Sequence, residues 1–369
     1  MLNKNIPPAK PQLPLQSMTT QPSTSRPVII WLYTGLVMII VQILLGGITR
    51  LTGSGLSITE WNVVTGTLPP LSEGAWLVEF EKYKRTPQFQ LLNFDFTLHN
   101  FKFIFFWEWF HRLWARLIGI VFAIPFIIFW IRGYFKSPMV KPLFVLFLLG
   151  ALQGAIGWIM VASGLTGDAI YVKPTRLALH FIFALGLLSY TFWFILQLTV
   201  PTSSRLANAS LHKRILLVIG VLLLQLMYGA FMAGHKAATA APTWPTINNK
   251  WIPDALFNEP EGLLNFIDNR ILIHFIHRGL AYLLVIAILL LSVRLYKTTG
   301  SAWLNHARKW PLILVIAQVL LGIFSVLTST SIIPGVWGIF EWMAQLHQLV
   351  AMLLLLSLIQ LLFLIKRNA

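Results

Sequence analysis

The chain has 369 residues, of which 57% are apolar and only 11% charged, and 28 Lys and Arg against 12 Asp and Glu give it a net charge of +16. Soluble domains carry about 25% charged residues, so this is the composition of a membrane protein. No cysteine is present, which excludes disulfides, thiolate metal sites, cysteine nucleophiles and thioether-linked haem.

Residues 1–26 are polar and proline-rich, with Lys4, Lys10 and Arg26 but no apolar core. They read as a disordered cytoplasmic tail and not as a secretory signal. Eight apolar runs follow, at roughly 27–48, 108–131, 139–163, 175–200, 211–234, 270–294, 308–329 and 341–365. Each has about the length a bilayer requires. Two connecting segments are long. In 49–107, "SEGAWLVEFEKYKR" predicts short helices lying on the membrane surface. In 235–269, "PTWPTINNKWIPDALFNEP" predicts an irregular interfacial cap rich in proline and tryptophan.

Charge orients the spans. With both termini inside, the inner segments hold Lys4, Lys10, Arg26, Arg132, Lys136, Lys141, Arg205, Lys213, Arg214, Arg294, Lys297, Arg308, Lys309, Lys366 and Arg367, and no acid. All 12 carboxylates fall on the opposite side. The positive-inside rule therefore predicts N-in and C-in. The same loops explain the basic excess, since they face anionic lipid headgroups; no nucleic-acid partner is implied.

The chain repeats itself. His277 follows His111 by 166 residues, His347 follows His180 by 167, and Gln318 follows Gln153 by 165. Every odd span carries Gln-x-x-x-Gly: Gln42/Gly46, Gln153/Gly157, Gln225/Gly229 and Gln318/Gly322. Close helix packing accounts for such a mark; direct ligand contact is the alternative. The predicted fold is an all-α membrane protein, with eight transmembrane helices forming two tandem four-helix bundles related by a pseudo-twofold axis along the membrane normal. The bundles are residues 27–200, which include the outer segment 49–107, and residues 201–369.

His111, His180, His277 and His347 lie in spans two, four, six and eight, all near the outer end. Parallel helices within a bundle bring two imidazoles to one depth, and bundle cores hold cofactors between facing helices. Paired imidazoles suit haem iron. Zinc or a di-metal site would call for more ligands, usually carboxylates or thiolates. Interhelical hydrogen bonding is the competing role. Arg112, Arg116, Arg176 and Arg278 lie beside the candidate ligands, where they could pair with propionates or snorkel to the interface. His274 is an alternative ligand, His235 could cap a site from above, His99 lies in the outer segment, and His212 and His306 lie at inner ends.

The halves differ at one place. Glu108 shares a helix face with His111, while its counterpart is His274. A carboxyl there could accept a proton or stabilise a cationic intermediate; an ion pair with Arg112 or Lys102 is the alternative. The difference suggests one catalytic and one cofactor site.

The phrases "GGITRLTGSGLSITEWNVVTGTLPP", "FEKYKRTPQFQLLNFDFTLHNFKFIFFWEWFHRLWAR", "KPTRLALHF", "AFMAGHKAATAAPTWP" and "FIHRGLAY" resemble the haem A synthase family, in the branch shared by mitochondria and many bacteria. The resemblance runs from about residue 30 to the end. It implies oxidation of the C8 methyl of haem O to a formyl group by two successive hydroxylations, giving haem A for terminal oxidases. It implies haem b held by His277 and His347, and substrate haem O held by His111 and His180 with Glu108 at the reacting edge. It also implies haem O synthase as a partner and a lateral opening for the farnesyl tail. Some members carry a cysteine pair in the first outer segment, which this chain lacks, so a thiol relay is absent here.

Two readings of other classes compete. A di-haem b electron carrier, or quinol-linked cytochrome, would need both halves equally equipped. A haem exporter or chaperone would need Trp-rich outer loops and exchangeable ligation. The electron acceptor and any homo-oligomeric state are left open, and a bacterial plasma membrane is favoured over a mitochondrial inner membrane because no arginine-rich presequence is present.

Overall fold

The computed structural model describes residues 25–60, 65–257, 262–333 and 335–367. The polar segment 1–24, with Lys4 and Lys10, lies outside them. Each apolar run becomes one long helix: α1 (Arg26–Leu51), α2 (Leu98–Ile131), α3 (Ser137–Ala162), α4 (Pro174–Thr199), α5 (Ala209–Gly234), α6 (Arg270–Tyr296), α7 (Trp310–Leu327) and α8 (Ile339–Leu364). A short helix, Ala302–Ala307, leads into α7, and together they form the seventh candidate span. The chain is an all-α integral membrane protein with eight helices long and apolar enough to cross a bilayer.

Helix starts follow local chemistry. Proline occupies the first turn of α1, α3, α4 and α7, where its missing N–H costs nothing. Asn208 and Asn269 cap α5 and α6 by accepting from the Leu211 and Leu272 amides.

Span ends agree with the sequence reading to within a few residues except at α2, which begins ten residues early. Thr97 and Asn100 form a capping box there. Phe101, Ile104 and Phe105 then bury themselves against Phe80 and Tyr83 of the helix Glu73–Lys84. This aromatic cluster stabilises a helical extension of about 15 Å, in residues that the sequence reading assigns to the segment 49–107. The second long connection is irregular as expected, with short 3-10 turns at Ala237–Ala240 and Asp254–Leu256. A two-residue parallel pairing, Leu206–Ala207 with Ile365–Lys366, ties the linker after α4 to the end of α8.

Inside the bilayer every exposed backbone group needs a partner. Pro125 sits within α2 and frees the carbonyl of Val121 four residues earlier. The Trp31 indole of α1 donates to that carbonyl at 2.8 Å. Trp114 of α2 returns the contact, donating to the Met38 carbonyl of α1 at 3.0 Å.

Between 39% and 50% of the apolar window is buried in α1, α4, α5 and α8, against 0% to 28% in α2, α3, α6 and α7. Four helices thus form the interior and four the flanks. In the first half, α1 packs on α2 and α4, and α3 on α4; in the second, α5 packs on α6 and α8, and α7 on α8. Contacts α1·α8, α4·α5 and α4·α8 join the halves. The last of these buries Leu185, Leu188, Met352 and Leu355.

The two corresponding joints differ in chemistry. Between α4 and α5, Ala178, Phe181, Ala230 and Phe231 form an apolar cluster. Between α1 and α8, Gln345 and Gln348 donate to the Leu44 and Ile43 carbonyls at 2.9 and 2.8 Å. Gly47 makes this approach feasible, since a Cβ there would fall 2.5 Å from both glutamine Oε1 atoms. Gly47→Val is therefore expected to lower stability by about 1–3 kcal/mol, read as a lower melting temperature of the purified protein, with Gly35→Val, which faces open space, as the unaffected control.

Candidate functional site

All four spanning histidines seat on the Gln-x-x-x-Gly glycines. A Cβ added at Gly157 would lie 2.9 Å from His180 Cε1, and one at Gly322 would lie 2.9 Å from His347 Cε1. At Gly229 and Gly46 the corresponding distances are 3.3 Å to His277 Cε1 and 3.4 Å to His111 Nε2. Each even helix thus lays its imidazole against the bare backbone of the preceding odd helix. The close packing expected of this motif is present, and the group that packs on each glycine is an imidazole.

The glutamine of each motif reaches the same ring in three of the four cases. Gln225 Nε2 lies 3.3 Å from His277 Nε2, Gln318 Nε2 lies 3.3 Å from His347 Nε2, and Gln153 Nε2 lies 3.1 Å from His180 Nδ1. The fourth, Gln42, shares with them a buried Oε1 lacking a hydrogen-bond partner. His347 Nδ1 donates to the Gln318 carbonyl at 3.0 Å. His277 Nδ1 faces the Gln225 backbone, short of a full hydrogen bond.

His277 and His347 meet across the second half with ring centroids 6.4 Å apart and planes at 72°. Two imidazole nitrogens each about 2.0–2.1 Å from a shared metal place ring centroids at nearly that separation. Two neutral imidazoles in an apolar core are a suitable donor set for haem iron, so these residues fit the group. His111 and His180 come within electrostatic reach of each other in the first half. No cluster of three or more His, Cys, Asp or Glu that could hold a bare metal ion occurs among the described residues.

Glu108 is 3% exposed. Its Oε2 accepts from the Ser57 amide at 2.7 Å, the Ser57 hydroxyl at 2.7 Å and the Ile58 amide at 2.9 Å. Its Oε1 accepts from Arg112 at 2.5 Å. The carboxylate therefore pins the start of the first long connection, just after α1, onto α2 beside His111.

A family model described as cytochrome oxidase assembly protein matches residues 29–359. The chain belongs to this family, COX15-CtaA. Several members are curated as haem A synthase. That of Flavobacterium johnsoniae is 37% identical over 335 residues, covering 90% of this chain and 95% of its own. That of Rhodospirillum centenum is 41% identical over 304 residues, covering 82% and 81%. That of Novosphingobium aromaticivorans is 41% identical over 333 residues, covering 88% and 91%.

In this family member the remaining candidates divide by contact. Arg112 also donates to the Ile58 carbonyl, and Arg176 to the Ile159 carbonyl. Arg278 donates to Thr246 and Ala241 carbonyls and to His274 Nδ1, tying the second outer segment over α6. Arg116 is half-buried on α2. His274 is engaged by Arg278 while His277 faces the partner ring, so of the two it is His277 that pairs with His347. His235 ends α5 and contacts the Ile267 carbonyl at 2.7 Å, His99 is exposed, and His212 and His306 make inner-end contacts with Ile365 and Trp310.

Ser57, Arg50 and the Gln345/Gln348 pair were invisible from sequence, since their partners lie far along the chain. Arg50 Nε donates to the Ala233 carbonyl at 2.8 Å, joining α1 to α5. Nearby, Lys236 Nζ donates to the Tyr171 hydroxyl at 2.6 Å; burial, then Arg50 and Arg270, lower the Lys236 pKa to about 8. In the outer aromatic cluster burial raises the Tyr83 phenol to about 12, and it donates to Gln88 Oε1 at 3.0 Å.

The flanks of the two halves also differ. α6 packs on α7, whereas α2 and α3 scarcely touch. An added Cβ at Gly119, Gly150 or Gly154 would meet nothing within 4 Å. The counterparts by the repeat are Val285, Val315 and Val319, and Val315 is 1% exposed in the core. At its outer end the α2–α3 gap meets a cavity of about 180 Å³ lined by Ile58, Arg112, Trp158, Val161 and Leu165.

Each hydrogen bond to a charged group is worth about 1.5–3 kcal/mol. Glu108→Ala is therefore expected to speed hydrogen exchange at the Ser57 and Ile58 amides by about tenfold or more. Exchange measured by mass spectrometry checks this; unchanged protection would mean that the segment is held by something else.

Proposed function

We propose that this chain converts haem O to haem A, oxidising the C8 methyl to a formyl group for terminal oxidases. The carrying observation is the duplicated imidazole pair with unequal surroundings. Curated relatives of this activity, aligned over most of the chain, support the same reading. The chain acts on a haem-type substrate within the membrane.

The two halves divide the work, residues 27–200 taking substrate and residues 201–369 holding haem b between His277 and His347. When bound, haem b supplies one-electron transfer. The protein's part there is to hold two neutral imidazoles at one depth, with their Nδ1 edges turned to backbone carbonyls.

In the first half His111 and His180 hold the macrocycle of haem O. Glu108 acts by fixing Arg112 and the Ser57–Ile58 segment over the site, since all its accepted bonds are spent on them. Arg112, Arg116 and Arg176 lie on the outer side, where propionates reach water. Arg278 serves the second half by holding its cap. The α2–α3 gap at Gly119, Gly150 and Gly154 takes the farnesyl tail. In the second half valines fill the same place, and haem b has no such tail.

The orientation is N-in and C-in in a bacterial plasma membrane, with the sites at the outer face, and haem O synthase supplies the substrate. A di-haem carrier would need equivalent halves; the unequal flanks and the unmatched Glu108 favour the enzyme.

Two experiments test this reading. The purified protein is expected to show a low-spin haem b spectrum that His277→Ala or His347→Ala abolishes. Survival of the spectrum in both variants refutes the cofactor site. Cells expressing the chain with a haem O synthase are expected to yield haem A by mass. Gly150→Val with Gly154→Val is expected to cut that yield at least fivefold, on the order of the 1–3 kcal/mol of overpacking, while leaving haem b content intact. Undiminished haem A would place the tail elsewhere.

A further inference from the structure

The corner between α6 and α7 holds a cavity of about 310 Å³, at the lower end of the roughly 300–1,000 Å³ of small-ligand sites. Tyr296, at its edge, follows His277 by 19 residues along α6, about 28 Å of helix. The cavity therefore opens at the face of the bundle opposite the histidines, and nothing about it depends on where haem binds. Its walls include Lys297, Arg308, Thr298, Thr299 and Asn305. They offer two cations, two hydroxyls and an amide, and no carboxylate.

The walls are held in place. The Arg308 guanidinium lies over the Tyr296 ring, 4.8 Å from its centroid, and donates to the Thr298 carbonyl at 3.3 Å. The Ser301 hydroxyl donates to the Ser204 carbonyl at 2.8 Å, fastening the turn to the linker after α4. Gly300 packs so tightly that a Cβ there would fall 2.5 Å from Leu304 Cδ2. The charge, by contrast, is unanswered. No Asp or Glu occurs at 169–253, 269–340 or 342–369. Lys297 is exposed and has no ion-pair partner among the described residues.

The matching corner of the first half is built otherwise. By the 166-residue repeat, Tyr134 and Phe135 stand where this corner has Gly300 and Ser301. Phe135 packs on Trp31, Phe126 and Phe129, and Tyr134 stacks on Phe129. Aromatic rings close one corner, while small polar residues leave the other open.

Depth selects the source of the anion. Tyr296, Trp303 and Trp310, on the segments that form the corner, are exposed, and such rings sit at the level of lipid headgroups. Toward the membrane centre, Leu290 and Val293 of α6 and Ile313 and Ile316 of α7 are exposed too, a surface for acyl chains. Basic pockets between membrane helices suit anionic headgroups. We propose that the α6–α7 corner binds one anionic phospholipid, its phosphate held by Lys297, Arg308 and the Thr299 hydroxyl.

The test uses the full chain, purified in detergent, stripped of lipid and titrated with dioleoylphosphatidylglycerol or dioleoylphosphatidylcholine. Native mass spectrometry counts the lipid-bound species. One phosphatidylglycerol per chain is expected to bind at least about fivefold more tightly than phosphatidylcholine, and Lys297→Gln to remove about that factor, the worth of one cation at the membrane surface. Lys297→Arg is expected to restore it. Arg132→Gln removes an exposed cation from the matching corner and is expected to change nothing. Equal affinity for the two lipids overturns the proposal, as does unchanged binding in Lys297→Gln. Equal weakening by Lys297→Gln and Arg132→Gln also overturns it, since attraction to the whole basic face would then suffice. Inorganic phosphate, matched in concentration to the lipid, is expected to leave it bound; displacement would make this a site for a free anion and defeat the lipid assignment.

Discussion

An imidazole buried among hydrocarbon side chains must find both a place for its ring and partners for its nitrogens; the architecture seats four such rings on glycines and brings a glutamine to three of them. Each ring stands on a glycine of the neighbouring helix, and at Gly157 and Gly322 only a missing Cβ lets it approach the backbone so closely. Once it is there, the backbone carbonyl and the glutamine one turn earlier lie within reach. Helix pairing and ring placement thus follow from one short motif on the preceding span.

The same requirement recurs wherever this chain places a polar group in the bilayer. The carbonyl freed by Pro125 is met by Trp31. Gln345 and Gln348 close the joint between halves on carbonyls of α1. Glu108 accepts from two amides, a hydroxyl and a guanidinium. Membrane proteins gain no hydrophobic driving force for helix association, so close packing and these specific bonds determine which helices meet.

The two halves carry histidine, glutamine and glycine at matching positions, and packing makes their surroundings different. The joints between halves correspond by the repeat, yet one is apolar and the other is built from glutamines and a glycine. The flanking helices correspond too, yet Val315 is buried in the second half where its counterpart Gly150 meets open space in the first. Gly46 and Gly47 show how closely the two sites are coupled. Adjacent on α1, one seats His111 and the other admits the glutamines flanking His347.

The sequence alone determined the membrane class, the eight spans, the repeat and the four histidines, because each depends on local composition or on register along one helix. Length and hydropathy set the spans, and the recurrence of Gln-x-x-x-Gly needed only counting. Tertiary structure decided what no local pattern carries. The extension of α2 depends on aromatic residues of a separate helix, and the partners of Glu108 other than Arg112 lie 50 and 51 residues away. The choice of His277 over His274 depends on which side of α6 faces α8, and the partner of His347 Nδ1 is a carbonyl of α7. Periodicity places a side chain on a face; only the packing of one helix on the next says what that face meets.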